Sequence, residues 1–215
     1  MRRPVGINQA IHAEAVSYTH LDVYKRQGGG WGALISDEGS GYYIGRMAVN
    51  AAIRDIDGRG PHTLLTELIQ KEMNRSRLKD AIFAIYSTGA AVTQIAKFVR
   101  LVSLAVQQGD EVACAIVEEN AKVMAEQTAV MLRRHPDAAS LPIIVAGGAW
   151  KTRSYVDRYR IHVKKLLPEM NVHLPLFEPV VGGVVASACR RDGSLTPQML
   201  AVLRENFSQF CYKQD

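Results

Sequence analysis

The chain has 215 residues, of which 47% are hydrophobic and 22% charged, a composition typical of a globular protein with a sizeable core. Its net charge of +5 at pH 7 comes from scattered basic residues, so no nucleic-acid partner is predicted. No apolar run is long enough to cross a bilayer, and three widely spaced cysteines predict neither a disulfide framework nor a metal site. We therefore expect a cytoplasmic protein with no membrane partner.

The first 27 residues are expected to be foreign to the fold. One codon choice for residues 16–27 makes the coding DNA an inverted repeat, which resembles two sequencing-library transposon ends joined head to head. A coding sequence has no physical reason to be palindromic over that span. The competing interpretation is a genuine amphipathic start, since residues 20–24 could form a short helix or strand. Residues 1–27 are expected to lie outside the fold, and residues 28–215 are expected to form one unit.

The part of the chain from residue 28 to about Arg134 is predicted to be helical. A glycine-rich stretch precedes a helix that Asp37 and Ser40 can cap and that runs to about Ile56. Residues 63–74 and 91–107 have apolar side chains at helical spacing, and Asp110 caps a further helix that ends near Arg134. Residues 81–86 are compatible with either a helix or a strand.

Strands are predicted only in the second half. Residues 141–146 form an apolar run that Gly147 and Gly148 close, and residues 172–177 form another. Helices are predicted at residues 154–167 and 184–189, and a last one from Pro197 to about Phe210 with Thr196 as its N-cap. This order predicts a helix-rich α/β protein whose ligand lies at the carboxyl ends of parallel strands.

Residues 29–42 carry the pattern most typical of a binding site. Glycines expose backbone groups to a polar ligand, Trp31 offers an aromatic wall, and Asp37 can accept hydrogen bonds from vicinal hydroxyls. Together these groups are suited to a sugar. The alternative is a glycine-rich turn that only leads into a capped helix.

Two later glycine pairs have weaker functional readings. Gly147 and Gly148 follow a predicted strand, where they form either a tight turn or a close approach to a nucleotide, with the next helix N-terminus favouring phosphate. Gly182 and Gly183 open a run of small residues, for which close helix packing is the simpler explanation.

The order of these motifs resembles that of N-acetylglucosamine kinases and of the wider ATPase family that includes the benzoyl-CoA reductase activators. The resemblance rests on GGWGALISDEGSGYYIGRMAV and on the later VQQGD, LPIIVAGGAWK and VVGGVVASA, and it covers about residues 28–195. It implies an actin/hexokinase-like (ribonuclease H-like) fold of two α/β lobes around a nucleotide cleft. Residues 28–215 would be the carboxy-terminal lobe, with the amino-terminal lobe missing. The implied substrate is an amino sugar, and the implied cofactors are ATP and Mg²⁺.

The resemblance also implies site residues, position by position. The sugar-binding residues would be Gly30, Trp31, Gly32 and Asp37, and the nucleotide-binding residues would be Gly147, Gly148, Ala96 and Lys97. Lys97 departs from the small residue expected beside adenine, and Gly148 offers only backbone where one relative has a serine. The family's catalytic aspartate and phosphate loops belong to the amino-terminal lobe, so no catalytic residue is assigned and Asp37 is not given that role. We expect the Gly147–Gly148 turn and the Ala96–Lys97 helix to face one cleft.

Two other functions stay open from the sequence. An activator-type ATPase coupled to an iron–sulfur electron-transfer partner would need cysteines in glycine-rich loops, whereas Cys114, Cys189 and Cys211 lie in predicted helices. A non-catalytic sugar-binding regulator of the same fold would keep the sugar motif without turnover. The motifs do not choose between N-acetylglucosamine, glucosamine and N-acetylmuramate. A homodimer is the candidate assembly, and the chain by itself is expected to lack kinase activity.

Overall fold

Nine α-helices and two short strands make up the regular structure in the computed structural model, which describes residues 28–87 and 89–214. The prediction for residues 1–27 concerns a segment outside this range. The helices are α1 (Gly41–Ile56), α2 (Leu65–Glu72), α3 (Leu78–Ser87), α4 (Ala91–Ala96), α5 (Val99–Gln107), α6 (Glu111–Arg134), α7 (Arg153–Leu166), α8 (Gly182–Asp192) and α9 (Pro197–Asn206). The strands are β1 (Ile143–Ile144) and β2 (Val172–His173). In the described ranges, no helix combines the length and apolar character that a bilayer crossing requires.

Ser40 and Asp110 start their helices as predicted, whereas the carboxylate of Asp37, the other predicted cap of α1, accepts no N–H group of that helix. The Ser40 hydroxyl accepts the Tyr43 N–H at 3.0 Å, and the Asp110 carboxylate accepts the Ala113 N–H at 2.7 Å. Both side chains thereby satisfy a donor that the first helical turn leaves unpaired. The ambiguous residues 81–86 lie within α3, whose Leu78, Ala81 and Ile85 are buried at helical spacing.

The prediction of one helix over residues 91–107 is wrong, because α4 and α5 are separate. Between them, the N–H groups of Lys97 and Phe98 donate to the carbonyls of Gln94 and Ile95, three residues earlier in the chain. This tighter turn ends α4 and directs the Phe98 side chain into the core, where it is fully buried. Burial of the aromatic ring thus outweighs the unbroken helical periodicity of the sequence.

The two strands are shorter than predicted. They pair in parallel, Ile143 with Val172 and Ile144 with His173, and α7 connects them. One further bond, from the Val145 N–H to the His173 carbonyl at 3.1 Å, ends the ladder. In the described part of the chain each of these two strands pairs only with the other, and Phe177, at the end of the second predicted run, instead forms an isolated antiparallel bridge with Cys211.

Three hydrophobic clusters form the core. The largest lies between α1, α5, α6, α7 and β1, and α7 packs mainly on the long helix α6. A second cluster joins the other side of α1 to α2, α3 and α5. The third is confined to the end of the chain, where Phe177, Val181, Val185, Cys189, Leu195 and Leu203 are buried together. Helix α9 ends at Asn206 rather than near Phe210, and a 3₁₀ turn at Ser208–Phe210 follows it.

Candidate functional site

The predicted sugar-binding glycines form a tight, exposed turn before α1. Gly32 and Ser36 form an antiparallel bridge, in which the Trp31 N–H donates to the Ser36 carbonyl at 2.9 Å. The φ angle of Gly32 is +103°, a backbone conformation that side chains rarely adopt. The bridge brings the backbones of Trp31 and Asp37 to the same end of the turn. The Trp31 side chain is 78% exposed and thus accessible to a ligand.

Two neighbouring acidic residues follow this turn, and they differ in their partners. The Glu38 carboxylate accepts the Ser36 hydroxyl at 2.6 Å, and this bond together with nearby Arg46 lowers the pKa of Glu38. Asp37 is half-buried, and its carboxylate has no hydrogen-bond or ion-pair partner within residues 28–87 and 89–214. Asp37 is therefore the acidic residue of this turn that is left to accept hydrogen bonds from a ligand.

Gly39 attaches the sugar-motif turn, residues 29–39, to helices α6 and α7. Its N–H donates to the Asn120 side-chain oxygen on α6 at 3.3 Å, and its carbonyl accepts the Tyr155 hydroxyl on α7 at 3.2 Å. Tyr155 is almost fully buried, and this burial raises the pKa of its hydroxyl, which therefore stays protonated as a donor at neutral pH. Asp37 consequently lies two residues from a backbone position held on both sides.

The Gly147–Gly148 turn follows β1, at the carboxyl end of the strand pair. Gly148 is exposed, and a β-carbon added there would meet no atom within 4 Å, so a ligand could approach its backbone closely. A 3₁₀ turn at Ala149–Lys151 comes next, and α7 begins only at Arg153. The turn thus offers backbone groups and open space, whereas the N-terminus of α7 lies several residues further on.

An aromatic contact connects this turn with the sugar motif. The Trp150 ring stacks on Tyr155 with ring centroids 4.6 Å apart, and it meets Tyr159 edge-on at 4.8 Å. Since the Tyr155 hydroxyl bonds to Gly39, one side chain contacts both predicted binding segments. The Tyr159 hydroxyl lies 2.7 Å from the Thr128 hydroxyl, which fixes the second ring.

Ala96 and Lys97 lie at the end of α4, which packs mainly on α1 and α3. A β-carbon added to Gly45 would lie 2.0 Å from the Ile95 carbonyl oxygen, and one added to Gly41 would lie 3.2 Å from that of Ala96. The absence of side chains at these two glycines lets α4 approach the first turns of α1. Lys97 is exposed, and Ala96 is half-buried. The described contacts place these residues beside α1, the helix that follows the sugar-motif turn. A cleft shared with Gly147 and Gly148 stays a prediction.

The cysteines give no support to an iron–sulfur site. Cys114 lies within α6, Cys189 is buried in α8, and Cys211 forms a bridge with Phe177 instead of lying in the predicted helix. Across residues 28–87 and 89–214, no group of three His, Cys, Asp or Glu side chains is placed to hold a metal ion.

Sequence reasoning missed Asn120, Tyr155 and Tyr212 as neighbours of the predicted binding segments. Asn120 is 81 residues from Gly39, and Tyr155 is 116 residues from it. Tyr212 is 65 residues from Gly147, whose carbonyl accepts its hydroxyl. The local pattern contains no signal for such contacts, although a buried tyrosine does require a partner for its hydroxyl.

Comparison with known proteins identifies the family. The fold is a helix-rich α/β fold of the actin/hexokinase-like ATPases, the class in which the motif order had placed it. The chain belongs to the BadF/BadG/BcrA/BcrD ATPase family, which matches residues 15–187. This match begins within the segment predicted to be foreign, whose origin stays a prediction.

The relatives found by sequence are named as amino-sugar kinases. The chain is 30% identical over 166 residues to the N-acetylmuramic acid/N-acetylglucosamine kinase of Clostridium acetobutylicum, a match that covers 76% of this chain and 54% of the relative. It is 29% identical over 125 residues to the N-acetyl-D-glucosamine kinase of Dictyostelium discoideum, covering 56% of this chain and 39% of the relative. The chain thus spans about half the length, or less, of these curated relatives.

A solved structure supports the fold. The structure of a Chromobacterium violaceum protein assigned as an N-acetylglucosamine kinase matches with a TM-score of 0.55 and 23% sequence identity. The match covers 73% of this chain and 50% of that protein. At this identity the likeness concerns the fold alone. The kinase names of the relatives do not favour the activator-type alternative.

Proposed function

We propose that the chain is the carboxy-terminal lobe of an ATP-dependent amino-sugar kinase that phosphorylates N-acetylglucosamine or a related sugar. The observation that carries the proposal is the Asp37 carboxylate, which has no partner among the described residues, in the same turn as the exposed ring of Trp31. Family membership and the kinase names of two relatives support the same function.

In the proposed site, the sugar lies against the turn formed by Gly30, Trp31 and Gly32. The Trp31 ring covers an apolar face of the pyranose, and exposed backbone groups of the two glycines bond to its polar substituents. Asp37 accepts hydrogen bonds from sugar hydroxyls, which are stronger than neutral bonds because the acceptor is charged. Glu38, already bonded to Ser36, maintains the turn and does not compete for the sugar.

The proposed nucleotide side consists of Gly147 and Gly148, with Ala96 and Lys97 flanking the base. ATP fits the open space at Gly148, where the backbone can approach a ligand without hindrance from a side chain. Residues 28–87 and 89–214 contain no cluster of three side chains placed to hold a metal ion. Mg²⁺ would arrive bound to the phosphates of ATP, as is usual for this cation.

The chain matches about half of the Clostridium relative. We propose that the other half carries the groups that accept the proton of the attacking hydroxyl and bind the transferred phosphate. Alignment of hydroxyl and phosphate supplies a large part of the rate in phosphoryl transfer. We therefore expect sugar binding but no phosphorylation by the 215-residue chain.

The first experiment measures binding alone. Trp31 and Trp150 are the two tryptophans of the chain, so a titration with N-acetylglucosamine can be followed by intrinsic fluorescence. We expect a saturable change in the unaltered chain and its loss in Trp31→Phe. A change that survives in Trp31→Phe would show that the signal arises at Trp150, away from the proposed sugar turn.

The second experiment restores the missing half from a close relative and compares Asp37→Asn with the unaltered enzyme. The amide keeps the shape of the side chain but loses charge-assisted acceptance, about 1.5–3 kcal/mol, which lowers kcat/KM for the sugar roughly tenfold to a hundredfold. The KM for ATP should hardly change. Asp57→Asn is the matched control, because Asp57 is exposed and pairs only with Arg59 in the described chain. Weakened ATP binding with unaltered sugar kinetics would show that Asp37 belongs to the nucleotide site and not to the sugar site.

A further inference from the structure

The end of the chain lies on the Gly147–Gly148 turn. Phe177 and Cys211 form an antiparallel bridge, the Glu178 N–H donates to the Phe210 carbonyl at 2.7 Å, and the Tyr212 N–H donates to the Leu176 carbonyl at 3.1 Å. These bonds fix the course of the backbone just before Tyr212. The hydrophobic cluster that contains Phe177 thus helps to position Tyr212, in addition to the contacts of the tyrosine side chain itself.

Several polar contacts of this terminal segment converge on the turn. The Tyr212 hydroxyl donates to the Gly147 carbonyl at 3.3 Å, and the Gln214 amide lies 3.5 Å from the Trp150 carbonyl. Lys151 connects the same two segments, because its ammonium pairs with Glu178 at 2.6 Å and lies 6.0 Å from the centre of the Tyr212 ring. The terminal segment therefore contacts Gly147, the first residue of the turn, and Trp150, in the 3₁₀ turn that follows.

Side-chain packing does little to fix the turn, whose backbone is held by bonds from the Trp150 N–H to the Gly147 carbonyl at 3.2 Å and from the Lys151 N–H to the Gly148 carbonyl at 3.3 Å. Gly147 has a φ of +116°, and a β-carbon added there would touch only Trp150, at 4.0 Å; at Gly148 it would touch nothing. Glycines in such open surroundings have more conformational freedom than any other residue. A hydrogen bond to the Gly147 carbonyl therefore removes freedom that side-chain packing leaves in place.

From these contacts we infer that Tyr212 is a positioning residue, which holds the Gly147 carbonyl and thereby sets the affinity of the Gly147–Gly148 turn for a nucleotide. The inference rests on the proposed function, because it takes this turn as the ATP-binding one. Tyr212 lies outside the part of the chain that the family model matches, which ends at residue 187. Tyr212 acts through the backbone of Gly147 and is assigned no part in the chemical step.

The test removes one hydroxyl from the full 215-residue chain. In Tyr212→Phe, the lost bond should weaken ATP binding about fivefold, as expected for one neutral hydrogen bond, with N-acetylglucosamine affinity unchanged. Calorimetry with ATP in excess Mg²⁺, and separately with the sugar, gives both affinities. Hydrogen exchange of the amides of residues 148–151, measured without ligand, should become several-fold faster.

Two matched tyrosines serve as controls. Tyr155→Phe also removes a hydroxyl that donates to a glycine carbonyl, but this glycine lies on the sugar-motif turn. This variant should weaken the binding of N-acetylglucosamine rather than that of ATP. Tyr86→Phe alters an exposed ring on α3 and should change neither affinity nor the exchange of the turn. A contribution to stability alone would lower the melting temperature and leave the two ligand affinities equally affected.

The outcomes separate this inference from the proposed function. Unaltered ATP affinity in Tyr212→Phe, or an equal loss for ATP and sugar, would overturn the inference while the proposed function stands. Unaltered hydrogen exchange of the turn would overturn it as well. If the unaltered chain bound no ATP at any concentration tested, the nucleotide assignment and the inference would both fail, whatever the exchange rates.

Discussion

Replacing Gly39 by alanine tests whether the sugar-motif turn is held as tightly as its contacts imply. A β-carbon at this position would lie 2.3 Å from both Cγ and Sδ of Met124 and 2.8 Å from the Tyr155 hydroxyl oxygen. The φ of Gly39 is also +78°, where an L side chain is strained. Gly39→Ala therefore combines a backbone cost of about 1–2 kcal/mol with an overpacking cost of about 1–3 kcal/mol.

Gly109 is a control in which only the backbone cost applies. Its φ is also +78°, and a β-carbon added there would meet no atom within 4 Å. Gly109→Ala should therefore lower the free energy of unfolding by about 1–2 kcal/mol. The difference between the two variants isolates the contact with Met124 and Tyr155, which we expect to be about 1–3 kcal/mol.

Urea unfolding followed by circular dichroism at 25 °C gives the free energies of unfolding for both variants and the unaltered chain. Movement of Met124 can relieve part of the overlap, but the Tyr155 ring is held between Trp150 and the core and has less freedom to move. Equal losses in Gly39→Ala and Gly109→Ala would refute the reasoning, since they would show that the turn shifts away from α6 and α7 without cost. A smaller loss in Gly39→Ala would refute it more strongly.

Two further predictions concern charged side chains away from the proposed site. Asp110→Asn should lower the free energy of unfolding by about 3 kcal/mol. The buried carboxylate accepts the Thr63 hydroxyl and the Leu64 and Ala113 N–H groups, and the NH₂ group of an asparagine would face one of these donors. The control Asp57→Asn should change the free energy of unfolding by no more than about 0.5 kcal/mol. Glu118→Gln should cost about 0.5–1 kcal/mol at pH 7 and less than that at pH 3 in the same urea assay. Desolvation alone would raise the pKa of Glu118, but the hydrogen bond and charge of His162 and the charge of Arg158 lower it overall. Its contribution to stability is therefore present above the ordinary value of 4.5 and is lost as the pH falls through the lowered pKa. An Asp110→Asn protein as stable as the original, or a Glu118→Gln deficit that is equally large at pH 7 and pH 3, would contradict these assignments.

The features that depend on neighbouring residues could be predicted from the sequence. Ser40, Asp110 and Thr196 cap the helices to which they were assigned, because a cap involves only the next three residues. The family and its motif order were also predictable, since both depend on contiguous segments. The bridge between Gly32 and Ser36 closes the turn that carries Trp31 and Asp37, which the sequence had already assigned to one binding segment.

Features that depend on distant parts of the chain could not be predicted. Periodicity gave no indication that α4 and α5 separate at Phe98, because the reason is the core between α1, α2 and α3 that receives its ring. Strand length depended on the partner strand, and β1 and β2 form a ladder only where they face each other. The clamp on Gly39 and the terminal contact on Gly147 join segments that lie between 65 and 116 residues apart.

Four glycines of the GGWGALISDEGSGYYIG segment, Gly32, Gly39, Gly41 and Gly45, have two different physical roles. Gly32 has an open position with a strained φ, so its freedom from a side chain serves the shape of the exposed turn. Gly39, Gly41 and Gly45 instead lie where an added β-carbon would overlap or crowd Met124, Ala96 or Ile95. More of this signature is therefore explained by close packing than by direct ligand contact. The packed glycines matter to binding because they fix where Trp31 and Asp37 stand.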